Sequence, residues 1–158
     1  MLSRFIRSAN LVLAGMLAGN EFGTWAAVHP SLGKLDPAER IRAEQEITRR
    51  YGTIMPAWMG STVVSCILAL VLSRGSTGFR STLFGTACFV GMLLSTRIGN
   101  VPINNRVLEI DPEKDQEEFA RLRERWDRLH TLRVALNVVG LGFLVASALA
   151  GGRRRGGA

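Results

Sequence analysis

Trp126, His130, Arg133 and Asn137 fall at i, i+4, i+7 and i+11, so on an α-helix they share one face. Arg133 and Asn137 lie within an apolar run, where a cation or an amide is costly unless it meets a partner. Such a face lines a polar cavity or locks two helices together. For Arg133 alone, snorkelling to the nearer interface is the simpler alternative. Its company on the same face, His130 and Asn137, favours the cavity.

Glu21 is the only acidic residue inside any long apolar run of this chain. A carboxyl in that setting serves as a general base or a metal ligand, or it pairs with a cation, here Arg133 or Arg97. The two histidines, His29 and His130, close one apolar run and open another, so both can approach a single pocket. Imidazoles suit iron, copper and zinc, which makes His29 and His130 a candidate metal or haem pair. Hydrogen-bonding caps at an interface are the plainer reading. Arg97, Asn100 and Asn104 form a further i, i+3, i+7 stripe if their helix continues. Pro102 disturbs that helix, and the broken end either lines a ligand pocket or is an ordinary Asn-Pro turn.

The elements that must hold these residues are membrane-length helices. The chain is 47% hydrophobic although 21% of it is charged, so the charges are segregated from the apolar runs. Runs at about 9–29, 54–72, 81–98 and 131–150 have spanning length, which needs roughly 20 mostly apolar residues. The first is a retained span rather than a cleaved signal, because it is long and leads into Phe22, Trp25 and His29 without a small-residue cleavage site. A short Gly75-Ser76-Thr77-Gly78 turn makes spans two and three antiparallel neighbours. The fold class expected is therefore all-α, a single four-span domain over residues 1–150, with a basic, disordered tail at 151–158.

Charge gives the orientation. Arg4, Arg7, Arg74, Arg80 and Arg153 to Arg155 mark the N-terminus, the short turn and the C-terminus. No acidic residue shares those regions, so both termini are expected in the cytoplasm of a multi-pass cell-membrane protein. The net charge of +7 is then a topology signal rather than a nucleic-acid surface, which would need a basic face on a soluble domain. The bilayer is the expected partner, and oligomeric state is left open.

Asp36-Pro37-Ala38-Glu39 reads as a helix start, followed by a short amphipathic helix lying at the outer surface to about Arg50. Asp111-Pro112 repeats the signal, and from there one long helix is expected to run on into span four. Gly15, Gly19 and Gly23 form a small-residue stripe suited to close helix packing. Trp25, Trp58 and Trp126 are placed near the outer boundary, where tryptophan anchors at the interface. Cys66 and Cys88 both fall inside spans and read as packing residues.

Three features together, Gly19-Asn20, Asn100-Val-Pro102-Ile-Asn104-Asn105, and Trp126 through Arg133 to Asn137, resemble the anthrone-oxygenase-like family of small four-span membrane proteins. The likeness covers nearly the whole chain in topology, and its sharp motifs about a third of it. The family takes its name from members that oxidise the ring methylene of an anthrone to the quinone with molecular oxygen. That chemistry implies a base for the methylene proton and donors for the resulting oxyanion. It would make His130 or Glu21 the base, with Arg133, Asn104 and Asn137 stabilising the anion and Trp126 against the ring of a small aromatic substrate. Asn100 belongs to the same substrate-binding set. An electron-rich carbanion can react with oxygen without a metal, so no cofactor is required on this reading. A non-catalytic polar network and a haem or metal protein using His29 and His130 are the alternatives.

Overall fold

The computed structural model describes residues 2–152, which form helices and short turns without a strand. Helix α1 (Leu2–Gly23) continues through a π-helical segment (Thr24–Val28) into α2 (His29–Leu32). Helix α3 spans Pro37–Leu72. Helix α4 (Phe79–Ser95) continues through a second π-helical segment (Thr96–Asn100) into α5 (Val101–Glu109), and α6 spans Gln116–Gly152. Four helical rods, Ser3–Leu32, Pro37–Leu72, Phe79–Glu109 and Gln116–Ala150, are long and apolar enough to cross a membrane. They run alternately up and down, each packed on its two neighbours in a ring. The part of the basic tail beyond Gly152 lies outside the described residues.

Prolines do not end the first and third rods. Pro30 and Pro102 lack the N–H that would reach four residues back, and their rings crowd that carbonyl. In each case the helix widens into a π-turn just before the proline and carries on. Each π-segment opens on a threonine whose hydroxyl donates to the carbonyl four residues earlier, Thr24 to Asn20 and Thr96 to Met92, both at 2.8 Å. Both halves of the chain thus use the same device at the same height.

Two expectations about the charged end change. The amphipathic segment after Pro37 does not lie on a surface, because it is the first part of α3 and stands upright on span two. Its inward face carries Ile41, which packs with Ile103, Val107, Ile110 and Phe119. Asp111-Pro112 does not start a helix; the Asp111 carbonyl accepts from Lys114 and Asp115, closing a turn, and α6 begins at Gln116.

Close helix packing also occurs elsewhere than expected. A Cβ on Gly15, Gly19 or Gly23 would meet nothing within 4 Å. The tight positions lie between the third and fourth rods. A Cβ on Gly85 would stand 2.9 Å from Leu144 Cγ, and one on Gly140 would stand 3.0 Å from Cys88 Cβ. Below the midpoint an apolar core gathers Leu17, Met59, Cys66, Phe89, Met92 and Leu144. Cys66 and Cys88 are free thiols.

Candidate functional site

Above that core the interior turns polar. Arg133 Nε on α6 donates to Glu21 Oε2 on α1 at 2.8 Å, and both side chains are largely buried. Of the two cations weighed for Glu21, Arg133 is the partner. His130, one turn toward the charged end, brings Nδ1 to 3.0 Å from Arg133 Nη2 and 3.3 Å from Glu21 Oε2. One nitrogen therefore serves two roles: unprotonated it accepts from Arg133, and protonated it donates to Glu21.

A second buried chain lies one turn higher. His29 Nδ1 is 3.1 Å from Glu44 Oε1, and Arg123 Nη1 donates to Glu44 Oε2 at 3.0 Å. Arg123 Nε also donates to Asp127 Oδ1 at 3.0 Å. Trp126 joins the two chains. Its ring lies 4.5 Å from His130 and 4.8 Å from His29, with the Arg123 guanidinium 4.1 Å from its centroid. The indole N–H donates to Asn104 Oδ1 at 2.8 Å. Trp126 is thus a wall of the interior rather than an interface anchor. Trp25 stands outside, 44% exposed, its N–H on Thr131.

These groups border a cavity of about 430 Å³. Glu21, Arg133, Asn104 and Trp126 line it, together with His29, Glu44 and Arg123. The volume is in the range of about 300–1,000 Å³ typical of small-molecule sites. Met55, Met59, Leu93 and Val101 supply apolar surface. The wall of this space thus combines the Trp126 ring with the Glu21 carboxylate and the Arg133 guanidinium.

Not every candidate reaches the cavity. His130 is 1% exposed and stands behind Arg133 and Trp126; it borders a separate hollow of about 310 Å³ with His29, Arg40 and Asp127. Asn100 and Asn137 are fully buried and line neither space, and their amides have no protein hydrogen-bond partner among the described residues. The His29 and His130 rings are 5.7 Å apart, with each Nδ1 engaged and each Nε2 buried without a protein partner among the described residues. No group of three His, Cys, Asp or Glu side chains is placed to hold a metal ion among the described residues.

Sequence reasoning missed Glu44, Arg123 and Tyr51. The signal for Arg123 was present: it precedes Trp126 by three residues and extends the same helical face by one turn. Glu44 was hidden among the mixed charges between Arg40 and Arg50, where no apolar context distinguishes it. Tyr51 donates to Asn20 Oδ1 at 3.1 Å, a pairing that only the docking of α1 on α3 reveals.

No curated protein and no solved structure gives a significant match to the chain. The sequence pattern of the family described as anthrone oxygenase matches residues 46–143, more than half of the 158. The matched stretch contains Asn104, Trp126, His130 and Arg133, whereas Glu21 and His29 precede it. With four membrane-length helices around this cavity and that match, the chain belongs to the anthrone oxygenase family.

Proposed function

We propose that this protein is a membrane oxidoreductase that oxidises a hydroxylated anthrone or similar polyketide-like aromatic with molecular oxygen. The observation that carries the reading is the Glu21–Arg133 pair, joined at 2.8 Å and lining a cavity of ring-accommodating size. The family match supplies the reaction class.

The residues divide the work as follows. Glu21 takes a proton from the activated ring methylene. Arg133 donates to Glu21 through Nε and to His130 through Nη2, which leaves Nη1 without a protein acceptor among the described residues, free for the developing oxyanion. The carbanion adds to oxygen, forming a C–O bond, and protonation gives a hydroperoxide. Loss of the second methylene proton as the O–O bond breaks yields the ketone and one water. The proton on Glu21 can pass to His130 Nδ1, 3.3 Å away. His130 therefore acts behind the cavity as a relay, while Trp126 and Asn104 position the ring.

The bilayer is proposed to be the cell membrane, with the charged end outside and both termini in the cytoplasm. Arg4, Arg7, Arg74 and Arg80 crowd the opposite end without acidic neighbours, which supports that orientation.

The test is oxygen uptake by the purified protein in lipid nanodiscs with 1,8-dihydroxyanthrone, followed against quinone absorbance. Expected are one oxygen consumed per quinone and loss of the enzymatic rate in Glu21→Gln. A wild-type rate equal to the protein-free rate would overturn the reading.

A further inference from the structure

Three of the four seams between neighbouring rods carry a close contact near the cavity. Met59 lines it toward the apolar core, where it packs in one cluster with Leu17 and Met92. Ile41, Ile103, Val107, Ile110 and Phe119 roof the charged end, where Gln45 Nε2 also binds the Val107 and Ile110 carbonyls at 3.0 and 2.9 Å. Tyr51 on Asn20 closes the seam between the first and second rods. Arg133 on Glu21 and Trp25 on Thr131 close the seam between the first and fourth. Between the third and fourth, a Cβ on Gly99 would stand only 2.8 Å from Leu129 Cδ1.

The seam between the second and third rods is different. Helix α3 packs on α4 below and on α5 above, but none of its Cα atoms comes within 8 Å of one in Thr96–Asn100. The π-turn before Pro102 lies at this gap. Gly52, Pro56 and Gly60 border the cavity on one side of the gap, and Leu93, Arg97 and Val101 on the other. Outside it, Ile54, Leu94 and Ile98 are 53%, 55% and 77% exposed, an apolar surround suited to acyl chains. Arg97 is exposed at the edge and belongs to no ion pair among the described residues.

We propose that the cavity is loaded sideways from the bilayer through this window between α3 and the Thr96–Asn100 turn, by a flat apolar aromatic whose acidic hydroxyl is met by Arg97. The ligand class rests on the oxygenase reading, whereas the window rests on geometry alone. A water-poor route suits a molecule that partitions into lipid, and an arginine at the edge selects those with an ionisable oxygen.

The window is tested by thiol access in liposomes. Thr96, 7% exposed and lining the cavity, is changed by Thr96→Cys in a Cys66→Ala, Cys88→Ala background. Apolar benzyl methanethiosulfonate delivered in the lipid is compared with anionic sulfonatoethyl methanethiosulfonate in the water. The apolar reagent is expected to react faster by about tenfold or more, and adding Gly60→Trp to slow it by about tenfold, as closing a gate does. A Cβ at Gly60 or Gly52 meets nothing within 4 Å, so Gly52→Trp repeats the test if the Gly60 variant fails to fold. Equal or faster reaction of the anionic reagent, or no slowing by a folded tryptophan variant, overturns the window.

The part played by Arg97 is read from capture rates of 1,8-dihydroxyanthraquinone and unsubstituted anthraquinone. Arg97→Gln is expected to slow the hydroxylated probe by about tenfold, the scale of one charge-assisted hydrogen bond, and to leave the other unchanged. Equal slowing of both overturns that role. Fast apolar labelling of the Thr96→Cys variant, with capture of neither probe, would sink the oxygenase reading and uphold the window.

Discussion

Arg133 and Glu21, 112 residues apart in the chain, meet at 2.8 Å inside the bundle and tie its first rod to its last. In a membrane interior neither charge is tolerable alone, so the pair is at once a fastening and the most polar feature of the cavity wall.

Removing one member is therefore expected to cost more than removing both. Arg133→Met leaves Glu21 buried with only His130 beside it, and should lower stability by up to about 3–5 kcal/mol. Glu21→Leu combined with Arg133→Met should recover most of that loss without recovering oxygen uptake. Denaturant unfolding in mixed micelles, read beside turnover, checks both. A double variant no more stable than Arg133→Met would refute the pairing as the source of the cost.

Trp126 and Asn104 make the same kind of statement on a smaller scale. Their 2.8 Å hydrogen bond joins α6 to α5 beside the cavity. In a double-mutant cycle of Trp126→Phe and Asn104→Leu, a coupling of about 1 kcal/mol is expected in unfolding free energy. Additive effects would show that the bond contributes nothing.

The glycines separate into two groups. Gly140→Val drives new atoms into Cys88 and Phe89, and should destabilise by about 1–3 kcal/mol. Gly15→Ala and Gly19→Ala enter open space, and should be neutral or stabilising by up to about 1 kcal/mol through helix propensity. Thermal midpoints of the three variants settle the contrast. A large loss in Gly19→Ala would mean that its stripe is packed against something outside this chain.

The turn before α6 should respond to acid. The Glu113 backbone N–H holds the Asp111 carboxyl below the usual carboxylate range, with Lys114 assisting. Because the folded value is the lower one, the turn's contribution is present above the unfolded value of about 3.9 and is lost as pH falls through the folded value. Pepsin nicking between Ile110 and Gln116 is expected to rise as the pH drops through that range, and Asp111→Asn should be nicked throughout it. A pH-independent nicking rate in the wild type would contradict the assignment.

Hydropathy alone determined that there are four spans, because a bilayer imposes a length and an apolar content that can be counted along a chain. The helical period likewise put Trp126, His130 and Arg133 on one face of α6, and scarcity of charge in the spans singled out Glu21. Tertiary structure decided what those residues meet. Which cation answers Glu21, why His130 stands behind the cavity and not in it, and why Asn100 and Asn137 are buried away from it all depend on the rotation and depth of each helix. These are set by side-chain packing between rods, such as Gly85 against Leu144 and Gly140 against Phe89, which no single-helix periodicity records. The prolines show the same division. Pro30 and Pro102 announce a local disturbance, but whether a helix stops or widens into a π-turn depends on whether packing holds both sides in line, and here it does.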